Sequence, residues 1–219
     1  MKVTIATGAL LLASGFAFAQ QPGISQAGFY VGGSIGAATA DVKDATNELN
    51  SAFASVGAVN SSTTSDDSDF SYKLFAGYKF NKNFALEGGY ADLGKYTASG
   101  NALLRGSTIN ADGDVKAYAI FIDAVGILPA SEEFAVFGKV GGAYTHTKAN
   151  ASASFAGFSA SDNATSSKFV PKLGIGAQYY VTKAVALRAE YEYYFNVGDK
   201  NETGESDVQV FTVGLTYGF

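Results

Sequence analysis

Residues 70–80 read FSYKLFAGYKF, an alternation of period 2 sustained over the whole run. Phe70, Tyr72, Leu74, Ala76, Tyr78 and Phe80 fall on one face, and Ser71, Lys73, Phe75, Gly77 and Lys79 on the other. That is strand geometry and does not match a 3.6-residue helical stripe. After the link Asn81, Lys82, Asn83 the pattern restarts with Phe84, Leu86, Gly88 and Tyr90 on one face, a spacing that suits a hairpin. It recurs at Val185 to Phe195, where Val185, Leu187, Ala189, Tyr191, Tyr193 and Phe195 oppose Ala186, Arg188, Glu190, Glu192 and Tyr194. Applied along the chain, the template predicts eight strands over 28–38, 70–80, 84–93, 115–125, 134–146, 168–181, 185–195 and 207–219. Long polar connections (39–69, 94–114, 147–167, 196–206) alternate with short ones (81–83, 126–133, 182–184), as short inner turns and long outer loops require.

Two barrels fit eight alternating strands: a secreted one with an apolar interior, and a membrane one with its apolar face in lipid. Glycine separates them. Gly32, Gly36, Gly77, Gly89, Gly141, Gly174, Gly176, Gly214 and Gly218 share the face that carries the charges. On a water-exposed strand face glycine weakens the strand for no gain, whereas an eight-strand lumen is so narrow that it must mix absent side chains with large ones. The glycine face is therefore predicted to point inward. The opposite face gathers aromatics near both strand ends, such as Tyr78, Phe84 and Tyr179 at one and Tyr90, Tyr144 and Phe169 at the other, the pattern of two interfacial girdles. Lys73, Lys79, Glu87, Asp123, Lys139, Lys172, Arg188, Glu190 and Glu192 all lie on the inward face. A cation turned to lipid at the midplane costs about 2–4 kcal/mol, so the register is strongly specified. The predicted class is all-β: an eight-stranded antiparallel up-and-down transmembrane barrel.

Composition narrows function by exclusion. Only 16% of residues are charged, against about a quarter in soluble chains. The chain has no Cys and one His, which argues against disulfide, thiolate and His-rich metal sites, and no cofactor is expected. A net charge of -5 argues against nucleic acid as a partner. Lys2, the apolar run Ala9 to Phe18 and the Ala17-Phe18-Ala19 end predict a signal peptide over 1–19, with the barrel domain over 20–219.

These segments resemble a known family: the transmembrane barrel of outer membrane protein A and the related small surface-antigen (opacity-type) barrels of Gram-negative bacteria. The similarity is greatest in NFALEGGYADLGKY (83–96), FGKVGGAYTHTKAN (137–150) and VTKAVALRAEYEYYFNVGDKNETG (181–204). The resemblance implies an outer-membrane location with extracellular loops, and outer-membrane lipid and lipopolysaccharide as surroundings. Leu215, Tyr217 and Phe219 look like the terminal signature read by the barrel-assembly machinery. It also implies a central pair between Glu87 and Arg188, with Lys139 as a further lumen cation. A sixth-strand acid of the family is replaced by Gln178, and the family's peptidoglycan-binding domain is not expected here.

The inward ions then have two readings: a structural polar core, or a narrow gated ion or small-solute path opened when Glu87 and Arg188 separate. Eight strands favour a filled interior. A third reading, a barrel enzyme acting on lipid A, has only His146 as an imidazole and no motif that supplies a nucleophile and an orienting group. No catalytic residue is expected. Function is therefore expected in the long loops, as envelope integrity and contact with a host or surface ligand. In the first loop Val42, Ala45, Leu49, Phe53 and Val56 recur at helical spacing up to Gly57, predicting a short amphipathic helix across the barrel mouth. In the third, Phe155 and Phe158 stand out from a run of Ala and Ser. They mark either a partner contact or strands prolonged beyond the membrane.

Overall fold

A computed structural model describes residues 27–40, 43–200 and 202–219. The predicted signal peptide and the Val42 position of the predicted helix lie outside these residues. Among the described residues nine strands and one helix follow in order: β1 Gly28–Ala40, α1 Lys43–Ser55, β2 Val59–Asp66, β3 Ser68–Lys79, β4 Phe84–Leu104, β5 Ser107–Pro129, β6 Phe134–Phe155, β7 Phe158–Tyr180, β8 Val185–Asp199 and β9 Gly204–Gly218.

Eight of the strands close a ring. β1 pairs with β3 on one side and with β9 on the other, from Tyr30 opposite Gly218 to Ala40 opposite Val208. β3 to β9 pair in chain order, every neighbour antiparallel. Closure leaves no sheet edge inside the membrane, the condition for strands to cross hydrocarbon. The lipid face carries exposed Leu74, Ile120, Ile122, Val140, Ile175, Leu187 and Leu215. The lumen face buries Lys73, Glu87, Asp123, Lys139, Lys172, Arg188, Glu190 and Glu192.

The short turns share one device. Asn81 Oδ1 accepts from the amides of Asn83 and Phe84, Ser131 Oγ from those of Glu133 and Phe134, and Thr182 Oγ1 from those of Ala184 and Val185. In each, a side-chain oxygen replaces the partner that a backbone carbonyl would supply, and the strands reverse within four residues.

The connections at the other end differ from the sequence expectation. Residues 94–114, expected as a polar loop, and 147–167, for which prolonged strands were one of the two readings, are largely strand: β4 and β5 stay paired from Lys95 opposite Lys116 to Leu104 opposite Ser107, and β6 and β7 to Phe155 opposite Phe158. Two-residue turns close both hairpins, Arg105-Gly106 with φ of 50° and 84° and Ala156-Gly157 with φ of 49° and 87°. Both pairs adopt the left-handed conformations of a type I′ turn. β2 is a further strand that the sequence reading placed in a loop. It takes over from β3 as the neighbour of β4, pairing Ser62 with Asn101 through to Asp66 with Thr97. The barrel wall thus rises on one side into a sheet of β2, β4, β5, β6 and β7. On the opposite side β7 pairs with β8 only from Lys172 to Tyr180.

The predicted helix forms. Gly57 (φ 76°) ends it, its amide bonding to Ala54 O while the Ala58 amide reaches Phe53 O, a Schellman closure. Leu49 and Phe53 occupy the space that Gly100 leaves empty on β4, and Asn50 Nδ2 donates to Thr63 Oγ1 at 3.2 Å on β2. A bulge at Leu93 and Gly94 shifts the alternation of β4 by one residue, so Gly100 and Ala102 continue the lumen face. α1 therefore sits on the inner side of the raised sheet, rather than bridging the mouth as a free lid.

Candidate functional site: the ion-paired lumen

The lumen face alternates side chains with gaps, and neighbouring strands interlock through them. A β-carbon on Gly32 would collide with the Phe75 ring, one on Gly77 with Tyr30, and one on Gly176 with Phe137. Each glycine thus houses an aromatic ring, and the rings wall off a central column of charge. Arg188 lies 4.1 Å from the Phe137 centroid and Lys172 lies 4.2 Å from that of Phe121, so the cations are flanked by π faces where carboxylates do not reach.

The column is continuous. At the end nearer the short turns, Glu87 accepts from Tyr30 OH at 2.7 Å, and it pairs with Arg188 Nη1 at 2.7 Å and Lys139 Nζ at 2.6 Å. Glu190 is next, with Arg188 Nε at 2.6 Å, Lys139 at 2.7 Å and Lys73 at 2.6 Å. Glu192 follows, 3.0 Å from Lys73 and 2.9 Å from Lys172, which also holds Asp123 at 2.7 Å. Four cations (Lys73, Lys139, Lys172, Arg188) therefore meet four carboxylates (Glu87, Asp123, Glu190, Glu192), and the charge of the column cancels. An isolated charge at this depth would cost several kcal/mol. Sharing Glu87, Glu190 and Glu192 each among two or more cations, and setting Asp123 on Lys172, avoids that cost.

Lys79, counted on the same face, lies apart from this column. It bonds to Tyr180 OH at 2.9 Å, and Gln178 Nε2 donates to the same oxygen at 2.9 Å. Gln178 also stands opposite Arg188 across the β7–β8 ladder, where it adds no competing charge. Tyr30 and Tyr194 belong to the site although the sequence reading did not single them out. Tyr194 is buried, with its hydroxyl 3.3 Å from Glu192. Their positions on the glycine-and-charge face were the available signal. Leu215, Tyr217 and Phe219 lie on the lipid face, with the last two rings edge to face at 5.2 Å.

His146 lies on the opposite surface of the wall. Its Nδ1 is 2.7 Å from Ser167 Oγ, and its ring centroid is 5.0 Å from that of Tyr118.

The family model described as OmpA-like transmembrane domain matches residues 25–219. An uncharacterised protein of Coxiella burnetii is 31% identical over 97% of this chain and 93% of its own length. Outer membrane protein A of Yersinia pseudotuberculosis is 30% identical over 66% of this chain. That match spans only 38% of the Yersinia protein. Among solved structures, the outer membrane protein OprG of Pseudomonas aeruginosa aligns over 91% of this chain and 98% of its own, with a TM-score of 0.49 at 16% identity. The chain belongs to the OmpA-like transmembrane domain family and is a β-barrel of the outer membrane.

Proposed function

We propose that this protein is a non-enzymatic outer-membrane barrel that supports envelope integrity and presents a folded surface to the outside. The observation that carries this reading is the unequal distribution of structure about the membrane band. At one end the strands reverse within four residues; at the other, five strands and a helix continue outward as an ordered sheet. Prolonging strands beyond the hydrocarbon costs backbone entropy, and a rigid platform is where binding surfaces usually sit. The neutralised lumen favours a structural plug over an open path. Phe158 at the hairpin tip, 80% exposed, is the kind of aromatic anchor that contacts partners. In this reading the terminal Leu215, Tyr217 and Phe219 serve recognition by the barrel-assembly machinery.

The chain has no cysteine of its own, so orientation can be read by labelling. Ser159→Cys on intact cells should react with a membrane-impermeant maleimide. Lys82→Cys should react only after the outer membrane is breached, and the reverse order would refute the reading. Cells carrying the protein with both long hairpins cut back to the membrane band should adhere less to a host-cell or abiotic surface than cells carrying the intact chain.

The His146–Ser167 contact favours one second reading, a lipid hydrolase with Ser167 as nucleophile and His146 as base. Such a pair works with a third group that orients the imidazole, and no acid is paired with His146 among the described residues. Mass spectrometry of lipid A from cells with and without the protein decides it. Identical profiles leave the non-enzymatic reading standing.

A further inference from the structure

The outer surface of the raised sheet changes chemistry in tiers. Nearest the membrane band it is apolar, with Ile120 and Ile122 exposed. Next comes a file of rings across four strands: Tyr72 to Tyr90 at 6.0 Å, Tyr90 to Tyr118 at 5.8 Å and Tyr118 to His146 at 5.0 Å between centroids. Such rings lie at headgroup depth in a bilayer. One outward-facing position further on, the ladder sets Lys95 opposite Lys116 and Lys116 opposite Lys148. Three ammonium groups therefore stand side by side on β4, β5 and β6. Above them, on the same strands and β7, lies a polar groove of about 490 Å³ lined by hydroxyls and amides such as Ser99 and Asn150 and by the carboxylates Asp112, Asp114 and Asp162.

Like charges placed directly opposite on a sheet are destabilising, and this row is poorly neutralised from within. Asp114 approaches Lys95 only to 3.8 Å, and its Oδ2 accepts from Asn150 Nδ2 at 3.0 Å. Asp92 approaches Lys116 only to 3.9 Å, while its Oδ1 is held by the Gly94 amide at 2.9 Å. Among the described residues no acid is paired with Lys148. The side chains of Lys95 and Lys116 are 49% and 58% exposed, so their donors are available.

From these tiers we infer that the outer face of β4, β5 and β6 is a binding site for a phosphorylated glycolipid of the surrounding leaflet. Its acyl chains would follow the apolar wall, its phosphate would sit on the Lys95–Lys116–Lys148 row, and its sugar hydroxyls would donate to the oxygens of the groove, the three aspartates included. Lysine serves here as a point charge for phosphate. The order apolar, aromatic, cationic, acceptor-rich matches such a lipid from tail to head; a simple anionic phospholipid would leave the groove unused. The inference rests on the outward orientation proposed above.

The test uses the full chain in phosphatidylcholine nanodiscs at physiological ionic strength, with lipid A as the probe and its dephosphorylated form and inorganic phosphate as comparisons. Wild type should retain phosphorylated lipid A, should bind the dephosphorylated form much more weakly, and should not release lipid A to inorganic phosphate. Lys116→Gln/Lys148→Gln should weaken retention about tenfold or more, as losing two interfacial lysines implies. The charge-matched Lys82→Gln/Lys183→Gln, at the short-turn end, should behave as wild type. Equal retention of the two lipid forms by wild type, or full displacement by inorganic phosphate, overturns the inference whatever the variants do. So does unchanged retention by Lys116→Gln/Lys148→Gln. Failure of the wild type to insert as a closed barrel would overturn the outer-membrane reading itself, which is a separate result.

Discussion

Single residues in the lumen act by removing alternatives. Glu87 joins Arg188, Lys139 and Tyr30, so Glu87→Ala should leave two buried cations with too little countercharge. The expected cost is about 3–5 kcal/mol, read as a lower temperature for loss of the compact gel species, with Glu87→Gln milder because it keeps a hydrogen-bond acceptor. Conductance in planar bilayers tests the same residue for gating. Current unaltered by Glu87→Ala and Arg188→Ala would leave the pair a purely structural role. At the long-hairpin end the Lys168 ammonium, 2.6 Å from Glu205, holds that carboxyl below its ordinary value. A folded value below the unfolded one means that the pair stabilises the rim above the unfolded value, and that this contribution is lost as pH falls through the folded value. Carboxyl titration by NMR should show Glu205 low in wild type and returned toward the ordinary range in Lys168→Met. The lumen ions were readable as a set because strand parity is local. That Lys79 would leave the column for Tyr180 was not, because partner choice depends on the stagger between strands far apart in sequence.

At the scale of elements, the two long hairpins were the least legible part of the chain. Their turns are Arg-Gly and Ala-Gly rather than the Asn-Gly or Asp-Gly of a strong hairpin signal. Their arms are rich in Ala, Ser and Asn, and Ala and Asn are depleted in strands. Pairing continues because the membrane-embedded halves already hold the register, so each further residue adds to a formed ladder. Ala156 accepts φ of 49° at a strain cost of roughly 1–2 kcal/mol. Ala156→Asn should relieve part of it and slow amide exchange in residues 153–160, whereas Gly157→Val should hasten exchange there. Neither should alter the barrel below the girdle. β2 was hidden for a related reason: VNSSTTSD has no apolar alternation of its own, and its strand state comes from the edge that β4 offers above the end of β3.

For the molecule as a whole, the contrast between faces sets stability. Ile175 lies on the lipid face, 66% exposed, so Ile175→Lys should cost about 2–4 kcal/mol in reversible folding into bilayers. The unboiled wild-type protein should migrate on gels as a compact species that shifts on heating, as a closed hydrogen-bonded ring resists detergent until it unfolds. The sequence alone determined the number of membrane strands, their faces, the short turns and the family, because a strand crossing a thin apolar layer must alternate and must reverse quickly where no loop is needed. Only the tertiary structure decided which lumen charge meets which, where α1 rests, that the sheet rises on one side, and that Lys95, Lys116 and Lys148 form one row. Those outcomes depend on the stagger of one strand against the next, a property of closure around the ring that no local run of residues encodes.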